Sequence, residues 1–204
     1  MASRRQKMKG ETTSLVPPTR RVKVTVCSSS LMEDVSGLIQ YIQQKLPDVV
    51  EKVEFRSLPY NISDIDKFDL RGIDVLLLCH SIDNRRFSIT DVTDALYDRF
   101  LPRAKKYFGK GKVGVIVHDF SENHLSEDNI PSKMSTFRHT QPTTFQCASL
   151  VLIGGQLSHD LVELTNEQRS DLRQFCSATP QIWSERIQVM LYRLVCFITC
   201  GYLN

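Results

Sequence analysis

An α/β domain of three layers, built on a mostly parallel sheet of about five strands, is the fold class this sequence predicts. Three observations carry it. Short apolar runs recur at residues 21–27, 53–58, 73–79, 113–117 and 148–153. Stretches of helical periodicity separate most of them, the alternation that builds βαβ units and parallel strands. The runs IDVLLLC (73–79), VGVIV (113–117) and ASLVLI (148–153) have no polar face, as strands covered on both sides do not.

Each element has a local reason. In residues 21–27, Val22, Val24 and Val26 alternate with polar neighbours, which is strand patterning. Ser30, with Glu33 three residues on, predicts a capped helix start; Val35, Leu38, Ile39, Ile42 and Leu46 follow at helical spacing, and Pro47 closes the helix. Charges interrupt the run 53–58, which predicts an edge strand. After the third strand and a loop at 81–87, Ser88 or Thr90 caps a second helix. Val92, Ala95, Leu96 and Phe100 face inward, and Pro102 kinks or ends it. Residues 103–112 are basic and broken by Gly109 and Gly111. Residues 121–142 are polar, poorly periodic and carry Pro131 and Pro142, so a wandering loop or short helix is expected. Thr165 caps a third helix that runs to about Cys176.

A last helix is expected from about Gln181 to Thr199. Trp183, Met190 and Leu194 lie on its apolar stripe, and Phe197 adds apolar surface on a second face. A helix apolar on more than one face is buried or meets a partner. Arg186 and Arg193 argue against a membrane-spanning role.

Charge divides the 204 residues unevenly. Residues 1–23 hold seven basic residues and one acid, so the +3 of the whole chain leaves the remainder slightly acidic. Residues 1–20, including Arg4 and Arg5, are expected to be a disordered basic arm, and residues 21–204 one α/β domain. The arm could give weak, salt-sensitive contact with nucleic acid. The N-terminal segment lacks an apolar core for a secretory signal, and the six cysteines have no framework or CxxC spacing. Reduced thiols and a cytoplasmic location, with nuclear entry compatible with the arm, are the expectation.

The strand rhythm resembles the flavodoxin-like arrangement that also underlies TIR-like and caspase-like domains. In such sheets ligands sit at the carboxyl ends of the strands. Here those ends read Cys27-Ser28-Ser29-Ser30, Cys79-His80-Ser81, His118-Asp119 and Gly154-Gly155-Gln156. Ser28, Ser29 and Ser30 are candidates for an anion loop, because hydroxyls meet free N–H groups at a helix start; a serine-capped helix is the competing reading. Cys79, His80, His118 and Asp119 are the candidates for catalysis, with Cys27 added for a hydrolase or degenerate nucleotide-binding domain. The placement of a His after a central strand is similar to a caspase-type site, but His118-Asp119-Phe120 stands where a nucleophilic Cys would be needed. Residues 73–119 are similar to the centre of a small GTPase, and Asp69-Leu70-Arg71-Gly72 matches DxxG. The phosphate loop is absent. His118, Asp119, Glu122 and His124 could ligate a metal from one polar loop, but no second cluster in the sequence supports a site, and no cofactor is expected.

Arg85-Arg86-Phe87-Ser88 is a basophilic-kinase pattern, which makes Ser88 a phosphorylation candidate. Arg4, Arg5, Arg85, Arg86, Trp183, Met190 and Phe197 are the candidate interaction residues. Together these readings favour a non-catalytic signalling or scaffold domain, regulatory or innate-immune in setting. It would act through protein–protein contact or a homodimer made by the C-terminal helix.

Overall fold

The computed structural model describes residues 21–84, 88–93, 95–126, 128–158 and 162–177. The basic arm, Arg85, Arg86 and the expected C-terminal helix with Trp183, Met190 and Phe197 lie outside the described residues.

Five parallel strands form one sheet: β1 (Val22–Ser28), β2 (Val50–Ser57), β3 (Val75–Ser81), β4 (Val113–His118) and β5 (Leu150–Ile153). Their order is β2-β1-β3-β4-β5. This is the doubly wound, flavodoxin-like order, in which the connection reverses direction between β1 and β3. Helices cover both faces. The first, α1 (Ser36–Lys45), and the last described, α6 (Asn166–Ser177), lie on one side; α2 (Ile62–Ile65), α3 (Phe100–Phe108) and α5 (Pro142–Cys147) lie on the other. A further helix, α4 (Asn129–Thr140), precedes α5.

Strand alternation sorts the core into two layers. Val24, Val26, Leu77, Cys79 and Ile116 pack with Leu38, Ile42 and Leu172. Cys27, Leu76, Leu78, Val113 and Val115 pack with Phe100, Leu101 and Ala104. All of β3 and β4 is buried, which accounts for their unbroken apolar sequences. The charged strand β2 is indeed at an edge, where Glu54 takes salt bridges from Lys23 (2.8 Å) and Lys52 (2.9 Å). The other edge, β5, is four residues long, and Gln168 Nε2 donates to the Ile153 carbonyl at 2.6 Å. Charge on one edge, shortness and a covering side chain on the other, discourage pairing with a further strand.

Two prolines correct the sequence reading. Pro102 was expected to kink or end a helix, yet it is the third residue of α3, which continues to Phe108. Pro131 is likewise the third residue of α4, a helix of 12 residues where a wandering segment was expected. The first four N–H groups of a helix have no intrahelical acceptor, so a missing one there is harmless. Consequently the segment from Ser88 to Tyr97 is not the first half of a helix. Among its described residues Val92 is exposed while Ala95, Leu96 and Tyr97 are buried. The start of α1 also moves: Ser30 is not the cap. Asp34, not Glu33, turns back, its carboxylate accepting from Leu31 N at 3.1 Å over a 3₁₀ turn at Met32–Val35. Thr165 does cap α6, in a reciprocal pair with Gln168: Thr165 Oγ1 accepts from Gln168 N and Gln168 Oε1 from Thr165 N.

Candidate functional site at the carboxyl ends of the strands

The register of β3 and β4 decides which candidates meet. His80 is opposite Val117 and Ser81 opposite His118. Side chains alternate between faces, so His80 and His118 lie on opposite sides of the sheet. His80 packs edge-on against Tyr97, ring centroids 5.5 Å apart, on the α3 side. Cys79 belongs to the α1 layer and Cys27 to the α3 layer. The two cysteines therefore lie on opposite faces: Cys27 shares the α3 face with His80, and Cys79 shares the α1 face with His118 rather than with the adjacent His80.

Burial also sets their chemistry. Cys27 and Cys79 are fully buried, and loss of hydration pushes the Cys27 thiol up to about 12 and raises the Cys79 thiol as well. A nucleophilic cysteine needs the opposite shift, toward thiolate. Both act as small apolar core residues.

The group that does form is Ser81, His118 and Asp119. Ser81 Oγ donates to Asp119 Oδ2 at 2.5 Å, and His118 Nδ1 lies 3.0 Å from the same oxygen, out of line with the ring N–H. Burial raises the Asp119 pKa, but the contacts from His118 and Ser81 outweigh it and hold the carboxyl below its ordinary value. Asp119 adopts φ 70°, the left-handed region, where a short polar side chain is tolerated. Its N–H donates to the Gly155 carbonyl at 3.0 Å, so the β4 and β5 ends are tied together. The three residue types match a hydrolytic triad, but their order does not. The carboxylate lies between Ser and His, so the imidazole has no contact with the hydroxyl it would have to deprotonate. A carboxyl held below its ordinary value is also the weaker base for it. The arrangement is suited to bracing the strand ends.

The serine-rich end of β1 is spent in the same way. Ser28 Oγ accepts from Ser30 N at 3.0 Å. Ser29 Oγ is 3.2 Å from the buried Tyr97 hydroxyl and accepts from Asn84 Nδ2 at 3.0 Å. Of the three candidate anion hydroxyls, Ser28 thus closes its own turn and Ser29 ties the β1 loop to the loop after β3. The DxxG string precedes β3 as a turn: Gly72 has φ 73°, and Arg71 pairs with Asp69, holding that carboxyl at about 2. Ser88 is half-buried and sits 12 residues before α3 begins, so no helix dipole awaits a phosphate there. Among the described residues no three His, Cys, Asp or Glu side chains converge as a metal site. No described helix is long and apolar enough to cross a membrane.

What remains open at the switch point is a cleft of about 680 Å³ between the β1 and β3 ends. Ser30, Leu31, Asp34, Tyr60, Asp83 and Asn84 line it. Leu31 is 70% exposed, Tyr60 64% and the adjacent Met32 49%, high values for large apolar side chains. Sequence reasoning missed these residues. Leu31 reads as part of a helix start and Tyr60 as loop, and only the parallel register brings the two segments to one rim. Compared with protein-family models and with curated proteins, the chain matches none.

Proposed function

We propose that the folded unit is a non-catalytic binding domain that engages another protein through the switch-point cleft. The observation that carries this reading is the exposed apolar rim of Leu31, Met32 and Tyr60 beside the polar cleft floor. Large apolar groups left in water together at the mouth of a cleft mark docking surfaces. A regulatory or scaffold role follows from such a surface if its partner is part of a signalling assembly. The hydrolase or nucleotide-binding alternative has less support, because the described Cys, His and Ser candidates are buried, on separate faces or already bonded internally.

The test is a Leu31→Ser/Tyr60→Ser double variant of the full chain, compared with wild type in cross-linking to partner proteins. Both positions are exposed, so folding stability should change by no more than about 0.5 kcal/mol each. Discrete cross-linked partners should be lost about tenfold, as removal of ~1.4 kcal/mol of contact requires. Unchanged recovery would reject the cleft as the docking site. A rise of several degrees in melting temperature with one nucleotide would reject the reading as a whole.

A further inference from the structure

A second cavity, of about 360 Å³, lies away from the switch point, beneath α4 and above the ends of β4 and β5. Ile89, Val117, Phe120, Phe137 and Ile153 supply its apolar walls. None of the described α4 side chains is fully buried, so the helix roofs this space without filling it. Its size is in the range of small-molecule sites. Among the residues that line the cavity the one cation is Lys133 on α4, whose Nζ stands 5.9 Å from the centre of the Phe120 ring. Lys133 forms no ion pair among the described residues, whereas most nearby polar groups are committed. Thr136 and Thr140 donate their hydroxyl protons to the carbonyls of Ser132 and Thr136, and Gln141 Oε1 accepts from the Ile89 and Thr90 amides. The ammonium is therefore the charged donor at the mouth.

We propose that this cavity binds a small amphiphilic anion, an apolar body of roughly a dozen non-hydrogen atoms (at ~30 Å³ each) bearing one carboxylate. The body lies against Phe120, Phe137 and Ile153, and the carboxylate meets Lys133. Burying the apolar body supplies affinity, and the single charged contact fixes which end faces out. The site is independent of the switch-point cleft, so either assignment stands or falls alone.

Titration calorimetry of the full chain with decanoate, below its micellar concentration, tests the proposal. Decylammonium serves as the comparison of equal length. One decanoate should bind saturably, and decylammonium at least about tenfold more weakly. Lys133→Glu should reverse that preference while leaving the basic N-terminal arm intact, which separates the cavity from binding by the arm. Thr140→Phe, which adds bulk from an exposed helix position into the cavity, should abolish decanoate binding without lowering the melting temperature. Absence of saturable decanoate binding would overturn the site. Equal affinity for the two head groups, or a preference unchanged in Lys133→Glu, would overturn the role of Lys133. If Thr140→Phe does not fold, the Lys133→Glu comparison decides.

Discussion

Gly155 shows how little space the strand ends leave to a single residue. A Cβ placed there would come 2.8 Å from Glu163 Cβ and 2.9 Å from Leu125 Cδ1. Glu163 has little freedom to withdraw, since its Oε2 accepts from Gln156 N at 2.8 Å and its carbonyl from Gly155 N at 3.1 Å. Gly155→Ala should therefore destabilise the fold by about 1–3 kcal/mol, the usual effect of overpacking. Urea denaturation checks this, and an unchanged midpoint would show that the loop yields. Asp119 makes a complementary point. It is partly buried at a strand end, where a catalytic carboxylate could sit, yet its partners Ser81 and His118 both meet one of its oxygens, and geometry turns a catalytic candidate into a brace.

At the scale of elements, the segment between β3 and α3 depends on the α4–α5 junction. Gln141, itself buried, accepts from Ile89 N at 2.7 Å and Thr90 N at 3.0 Å. Asp91, at φ 66°, accepts from Thr143 N at 2.8 Å and Thr143 Oγ1 at 2.5 Å. These bonds replace the helix that the sequence pattern suggested. Gln141→Met keeps the volume but leaves two amides unpaired. It should cost about 2–6 kcal/mol, since each orphaned buried group costs ~1–3 kcal/mol. Faster amide hydrogen exchange confined at first to Ile89 and Thr90 would support this account. Protection equal to wild type would refute it.

For the whole molecule, burial of thiols makes stability depend on alkaline pH. Burial pushes Cys27 and Cys176 up to about 12 and raises Cys79 further in the same direction. In the unfolded chain a thiol ionises near ~8.5. Below that pH native and unfolded chains bind the same thiol protons, and the stabilising contribution is complete. Above it the native state binds more, and stability falls by about 1.4 kcal/mol per pH unit for each thiol. The loss continues until the native thiols themselves titrate. Urea midpoints under reducing conditions should thus drop steeply between pH 8 and pH 10. A flat profile over that interval would sink the prediction.

The sequence by itself determined the fold class, the five strands, the edge position of β2 and the cap of α6. These rest on local signals: alternation, unbroken apolar runs, interrupting charge and a threonine before a helix. It misplaced α3 and α4, because a proline reads as a breaker unless its position within the first turn is known. It singled out Cys79, His80, His118 and Asp119 at the strand ends, which is where they lie. Which face each occupies is a matter of register, and register comes from the pairing of β3 with β4. Only the tertiary structure decided that Cys27 and Cys79 are core, that Ser81 and Asp119 are braced together, and that Leu31 and Tyr60 share a rim. Those outcomes depend on contacts between segments distant in sequence, and no local pattern encodes them.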